Sequence, residues 1–409
     1  MTSSEALRAR DAADPLRAFR DRFVLPEGVI YLDGNSLGAL PRATPGRVAE
    51  VVGAEWGQGL IRSWNDAGWI DLAGRVGDKI GRLIGAAPGS VVVADSTSVN
   101  LFKLLSAALA LRPERRVILS EQGNFPTDLY IAEGLSALLA RGHGLRTLPA
   151  AEIIAAIDET VAVVMLTQVN YHTGALLDMA AITAAAHAKG ALVLWDLAHS
   201  AGALPVHLER DQADFAVGCG YKFLNGGPGA PAFLHVAPRL HGLVRFPITG
   251  WLGHARPFAF EPVFAPAGGI AGAVVGTPPV LSLAALEVGV DLALEADLAA
   301  VREKSLALGR VFADLVQERC PELLLVTPMD DGARGSQVSF AHPQAYAIMQ
   351  ALISRGVIGD FRAPDVLRFG ITPLYLRFTD MWDAVAVLHD VMQTGAWREP
   401  RFQVRQKVT

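Results

Sequence analysis

Cysteine is nearly absent: the 409 residues hold two, Cys219 and Cys320, far apart and without a CxxC spacing. Neither a disulfide framework nor a thiolate zinc cluster is expected, and no metal site is read in the chain. An excess of basic charge is missing too, with 36 Lys and Arg against 41 Asp and Glu and no basic tract. That excludes the electrostatic footprint of a nucleic-acid binder. No stretch reaches 18 apolar residues without a polar interruption, and no polybasic segment offers a membrane anchor. The first thirty residues mix Arg8, Arg10, Asp11, Asp14, Arg17, Arg20 and Asp21, and lack the apolar core of a signal peptide. A cytoplasmic location in a reducing compartment is the expectation.

What the chain does have is 51% hydrophobic residues and 40 glycines, enough for one large globular domain and a smaller one. Between about residue 90 and residue 235, short apolar runs alternate with helical stretches, the pattern of crossover units around a mainly parallel sheet. The predicted strands are Val91–Val93, Val117–Leu119, Val161–Leu166, Ala191–Trp195, Phe215–Val217 and Ala232–Leu234, with helices such as Val99–Leu111 and Ala180–Lys189 between them. From Leu281 to about Arg319 the apolar spacing predicts one long helix bridging two domains. Beyond it, Gln337–Phe340, Val357–Asp360 and Val366–Phe369 read as strands of a separate small sheet, with a helix over Pro343–Ser354. The N-terminal residues 1–60, with a strand over Val29–Leu32, are expected to join that small α+β domain. Residues 61–280 would form the large domain, and 281–409 the linking helix and the rest of the small domain.

Three constellations carry chemistry. Lys222 follows the strand Phe215–Val217 and precedes the glycine-rich Gly226-Gly227-Pro228-Gly229. A buried ammonium there would have the depressed pKa that a lysine needs to attack an aldehyde; the plainer reading is a strand-end lysine snorkelling to water. Asp196 ends the apolar strand before it, with His199 three residues on, where open α/β sheets bind their ligands. An aspartate there either holds a pyridinium N–H or caps the next turn. Asp95-Ser96-Thr97-Ser98 follows a strand and opens a helix, an arrangement that binds phosphate or is an ordinary N-cap. Phe125, after another strand, either stacks on a planar ring or packs on the core, and Asp128 lies beyond it.

Together these segments resemble the fold-type I pyridoxal-phosphate enzymes of the class V aminotransferase-like superfamily, and in detail the kynureninase family. The likeness spans nearly the whole chain. It rests on Leu32-Asp33-Gly34-Asn35-Ser36-Leu37-Gly38, Ser63-Trp64-Asn65, Thr97-Ser98-Val99-Asn100-Leu101, Asn124-Phe125-Pro126-Thr127-Asp128, Trp195-Asp196-Leu197-Ala198-His199-Ser200, Gly220-Tyr221-Lys222 and Gly276-Thr277-Pro278-Pro279, in that order. The resemblance implies pyridoxal 5'-phosphate held by Lys222 as a Schiff base, with Asp196 on the ring nitrogen and Phe125 on the ring face. Thr97, Ser98 and Tyr221 would surround the phosphate, and His199 and Asp128 would belong to the cofactor's polar shell. Trp251 and Thr277 would reach the phosphate from a neighbouring subunit, so that a homodimer shares its sites. Arg368 would grip the substrate α-carboxylate, with Trp64 also at the substrate. The activity implied is hydrolytic Cβ–Cγ cleavage of L-kynurenine to anthranilate and L-alanine, a step of tryptophan degradation. Lys222 would move the Cα proton, and Tyr221 is a second candidate for proton relay. Trp64 and Gly276–Pro279 resemble the bacterial form, for which kynurenine is the expected substrate ahead of 3-hydroxykynurenine.

The same fold, aspartate and lysine would serve another class V aminotransferase or a cysteine desulfurase. A desulfurase needs a reactive cysteine on a mobile loop. Neither Cys219, in the apolar run before Lys222, nor Cys320, before Pro321, reads as such a residue.

Overall fold

A computed structural model describes residues 3–407. The short apolar runs of the central region form a seven-stranded sheet of β1 (Val91–Val93), β2 (Val117–Glu121), β3 (Gly144–Leu148), β4 (Val161–Thr167), β5 (Leu192–Asp196), β6 (Phe215–Gly218) and β7 (Phe233–Val236). Its spatial order is β1-β7-β6-β5-β4-β2-β3. Strands β3, β2, β4, β5 and β6 run parallel, and β7 is antiparallel to both β6 and β1. Every residue of β4, β5, β6 and β7 is buried, as expected of central strands covered by helices on both faces. The strand β3 was not anticipated. It lies at the sheet edge, where Arg146 and Thr147 interrupt its apolar pattern.

Local chemistry starts the crossover helices. Ser96 caps α1 (Thr97–Leu111) by accepting from the Val99 amide at 3.3 Å. Pro126 occupies the first turn of α2 (Pro126–Leu139), where its missing N–H costs nothing. Asp178 caps α3 (Met179–Ala188) through the Ala181 amide at 3.0 Å.

The single helix expected over Leu281–Arg319 is two: α4 (Val280–Glu295) and α5 (Leu298–Arg319). The break falls at Ala296–Asp297, where Asp297 leaves helical geometry and caps α5 through the Ala299 amide at 3.0 Å. Helix α4 packs into the core of the large sheet through Leu283, Leu286 and Val290, whereas α5 turns Leu308, Phe312 and Val316 into a second core.

That second core lies under a four-stranded antiparallel sheet of β8 (Leu324–Leu325), β9 (Gln337–Ala341), β10 (Asp360–Arg362) and β11 (Val366–Gly370), in the order β8-β9-β11-β10. Phe312 meets Phe369 edge-on at 4.9 Å, and α6 (Ala345–Ile353) and α7 (Phe378–Thr394) close the layer. Leu7, Leu16, Phe23 and Leu32 from the N-terminus pack into the same core. There Asp11 accepts from the first amides of α7, and Asp14 pairs with the buried Lys304 of α5 at 2.6 Å. The run expected as one strand over Val357–Asp360 is divided at Gly359. Val357–Ile358 pairs in parallel with Ile30–Tyr31, and Asp360 begins β10. A side chain at 359 would meet Met349 and Phe369 at 2.9 Å, so glycine permits the close approach at this crossing. Among the described residues no helix is long and apolar enough to cross a membrane.

Candidate active site

The carboxyl ends of β4, β5 and β6 open onto one crevice, as doubly wound sheets do. Thr167 ends β4 directly beside Asp196, which ends β5, and Lys222 lies four residues beyond the end of β6. A cavity of about 310 Å³ joins them, lined also by Thr97, Ser98, Phe125, Asp128, Tyr171, His199 and Tyr221. A larger open groove of about 760 Å³ runs past Arg75, Lys79, Leu252 and Phe258. Two of its cations, Arg75 and Lys79, are already paired with Glu287, at 3.1 and 2.9 Å. No lysine there is both buried and reactive, so the smaller cavity is the chemical site.

Lys222 is the centre of that cavity. Its Nζ lies 2.9 Å from Nε2 of His199 and 5.8 Å from the centre of the Phe125 ring. Burial pushes its pKa down, while Cys219 and Asp196 pull it back and the Arg368 and Arg362 charges lower it further. The snorkelling alternative is not favoured, because Lys222 is only partly exposed and its Nζ is turned onto His199 within the cavity. Burial likewise holds His199 well below its usual value, helped by the charge on Lys222. Both shifts favour the uncharged forms, and an uncharged amine beside an imidazole would be a nucleophile with a proton acceptor at hand.

Two buried carboxylates face this pair. Asp128, on the first turn of α2, is raised well above its usual range by burial and then by the charge of Asp196. Asp196 is raised by burial, with Lys222 opposing. One oxygen of Asp196 accepts from the Ala198 amide at 2.7 Å, so it also caps the following turn. Asp128 Oδ1 is buried without a hydrogen-bond partner, and such an atom calls for a donor from a ligand. A protonated ring nitrogen brought to this pair of carboxyl groups is a donor of the required kind. At the opposite wall Thr97 and Ser98 start α1, whose N-terminal amides and dipole suit a phosphate. The residues present therefore fit pyridoxal phosphate at both ends.

Thr167 and Tyr171 carry no sequence signal of their own, and Asp95 is marked there only as the first residue of the Asp95-Ser96-Thr97-Ser98 segment. Thr167 donates from its hydroxyl to Asn124 and lies 3.3 Å from Asp128; it stands one position past the strand read from the apolar run. Tyr171 packs edge-on against Phe125 at 5.2 Å. Asp95 lines the cavity in a left-handed conformation and is ion-paired to the fully buried Lys103.

Arg368 does not line this cavity directly. It is buried on β11 and donates to the Tyr171 carbonyl at 3.0 Å, one residue layer behind the wall. Trp64, Trp251 and Thr277 are not brought to Lys222 within the chain. Trp64 is half-buried against Trp69, Trp251 is 40% exposed beside Phe258, and Thr277 is exposed. Cys219 and Cys320 are both buried, and burial pushes their thiols up, Cys320 to about 12. Neither has the exposed thiolate that desulfuration requires.

The model of the kynureninase C-terminal domain matches residues 301–388. A kynureninase from Pseudomonas fluorescens is 55% identical over the full length of both chains. One from Burkholderia pseudomallei (strain 1106a) is 54% identical, again over all of both. Among solved structures, C-DES with glycine covalently linked to its PLP cofactor superposes with a TM-score of 0.80 at 19% identity, covering 91% of this chain and 99% of that one. A cysteine desulfurase from Thermococcus onnurineus NA1 gives 0.77 at 17% identity, covering 92% and 98%. The structural likenesses establish the fold of the fold-type I pyridoxal-phosphate enzymes. With identity above one half along whole chains, and with the lysine, the aspartate and the helix N-terminus converging on one cavity, the chain belongs to the kynureninase family.

Proposed function

We propose that the chain is a pyridoxal-phosphate-dependent hydrolase that cleaves the Cβ–Cγ bond of L-kynurenine to give anthranilate and L-alanine. The observation that carries this reading is the buried Lys222 amine, 2.9 Å from His199 and facing Asp196 and Asp128 in a single cavity. When bound, the cofactor supplies an electron sink for charge developing on the substrate. Lys222, whose pKa burial lowers, would hold the cofactor and would take and return the substrate's Cα proton. His199 orients its Nζ. Asp196 would hold the ring nitrogen, and Asp128, whose carboxyl group burial raises well above its usual range, would complete the polar shell. Phe125 would cover the ring face, and Thr97 and Ser98 with the α1 amides would hold the phosphate. The Tyr221 hydroxyl, whose pKa burial raises, stays protonated at neutral pH; it donates to the phosphate or passes a proton to the substrate carbon. Arg368, whose Nη atoms are engaged by Tyr171, Ser36 and Asp360 and whose Nε is unpartnered, would meet the α-carboxylate from behind that wall.

The working form is a homodimer with shared sites. Trp251 and Thr277 are exposed and away from their own chain's cavity. Trp56, Ile61, Phe260 and Val263 expose large apolar surface, of the kind that marks an interface. Trp64 then meets the substrate from across it. The two free, buried cysteines suit a cytoplasmic enzyme.

Incubation of cofactor-replete protein with L-kynurenine is expected to produce anthranilate fluorescence. Lys222→Ala is expected to abolish both turnover and the absorbance of the bound cofactor near the visible edge. Failure of the wild type with both kynurenine and 3-hydroxykynurenine would refute the substrate, and full turnover by Lys222→Ala would refute the lysine.

A further inference from the structure

Strand β10 puts Asp360 directly opposite Arg368 of β11, and Arg362 two residues on. The period of two places all three on one face of the small sheet. On the other face Phe361, Leu367 and Phe369 belong to the second core. The charged face is buried all the same: Asp360 is 3% and Arg368 1% exposed. Burying a guanidinium is costly unless it is paired. Here one carboxylate oxygen of Asp360 takes both cations, accepting from Arg368 Nη2 at 2.5 Å and Arg362 Nη2 at 2.6 Å. Ser36 bridges them, donating to Asp360 at 2.7 Å and accepting from Arg368 at 2.6 Å.

Two guanidiniums face the Asp360 carboxylate and, beside it, Asp33, whose carboxyl group burial and the Asp360 charge push up to about 7; while Asp33 is protonated a positive excess remains. The guanidiniums also leave donors over, since Nε of Arg368 and Nε of Arg362 are both buried without an acceptor. Buried donors of that kind are rare in a folded chain unless a ligand satisfies them. Both cations lie near enough to the reactive centre to lower the pKa of Lys222 and of His199. Arg368 touches the cavity wall through the Tyr171 carbonyl.

We propose that Arg362 is a second residue of the α-carboxylate site and that Asp360 is the positioning residue that presents both guanidiniums with Nε left for the ligand. An amino acid carboxylate has two oxygens and one negative charge, which match the two spare donors and, while Asp33 is protonated, the one spare positive charge. The amine of the same substrate is then directed toward Lys222. The inference rests on the proposed reaction only for the identity of the substrate; any α-amino acid presents the same group.

The test uses holoenzyme and steady-state kinetics. Arg362→Gln is expected to raise KM for kynurenine on the order of 10- to 100-fold, the loss of one charge-assisted hydrogen bond, with kcat changed less than about threefold. Arg362→Lys restores part of that loss, because charge returns without the fork. Asp360→Asn raises KM as well. The decarboxylated amine analogue of kynurenine, as a competitive inhibitor, keeps its affinity in Arg362→Gln. An unchanged KM, or an equal loss of affinity for the decarboxylated amine, would overturn the proposal in favour of a purely structural ion cluster. If kynurenine proves not to be a substrate, titration with L-alanine and with ethylamine, followed by cofactor absorbance, still decides it. Weaker alanine binding with unchanged ethylamine binding in Arg362→Gln supports the carboxylate site, and equal effects on the two ligands overturn it.

Discussion

Asp33 carries a carboxyl group that burial, and then the charge of Asp360, pushes up to about 7, while Ser36, Arg368 and Arg362 pull it down. Its ordinary value is 3.8, so between about pH 4 and 7 the folded chain keeps a proton that the unfolded chain has lost. Stability from this group is complete below that window and declines as pH rises through it. Asp33→Asn, which stays neutral, is expected to raise Tm at pH 8 and to leave it nearly unchanged at pH 4, as thermal unfolding at the two pH values will read. The same ionisation adds negative charge beside Arg368 and Arg362. The wild type's KM for kynurenine is therefore expected to rise from pH 6 to pH 8 more steeply than that of Asp33→Asn; parallel profiles would remove Asp33 from the substrate's electrostatic field. Single residues differ in how far the sequence exposes them. Lys222 and Asp196 stand at the ends of buried apolar strands, so their placement in one crevice could be read from pattern alone. The partnership of Asp360 with Arg368 and Arg362 could not, because it depends on which strands pair and in what register.

The turn that follows the Ile30–Tyr31 strand shows how a small element controls the reactive one. Its Gly38 donates a backbone hydrogen bond to the Tyr221 carbonyl at 2.7 Å. A Cβ at that position would collide with the Lys222 carbonyl and lie 2.8 Å from the Asn225 Cα. Gly38→Ala must push the turn away from the segment bearing the lysine. Overpacking of this kind costs about 1–3 kcal/mol, and the displaced lysine is expected to lower kcat by more than the Tm shift alone would account for. A variant with wild-type kcat would mean that the turn yields without moving Lys222. Elements of strong period were legible: the buried strands from Val161 to Val236 and the helices between them follow the apolar runs. The errors fall where a local feature overrides the period. Asp297 caps and so divides an unbroken helical pattern, Gly359 lets one apolar run serve two sheets, and Arg146 at an exposed edge hides β3.

At the scale of the molecule, one hydrophobic core holds the cavity with Lys222 on the large sheet, and the other holds the guanidinium pair on the small sheet, behind the Tyr171 wall. Residues more than three hundred positions apart meet there, as Ser36 does with Arg368, and no local pattern encodes such a meeting. Trp251 and Thr277 remain outside their own cavity, so their expected role at the phosphate needs a second copy. An isologous dimer would pair the Lys222 of each chain with the Trp251 and Thr277 of the other. Consider Lys222→Ala mixed in equal amounts with a Trp251→Ala, Thr277→Val double variant under conditions that allow subunit exchange. Half of the dimers are then hybrids, and in each hybrid one site carries both defects and the other carries none. Activity at limiting cofactor is expected to rise to about one quarter of the wild type's, above what either variant shows alone. If the mixture gives only the average of the two, the phosphate ligands are not exchanged between subunits and each chain must complete its own site.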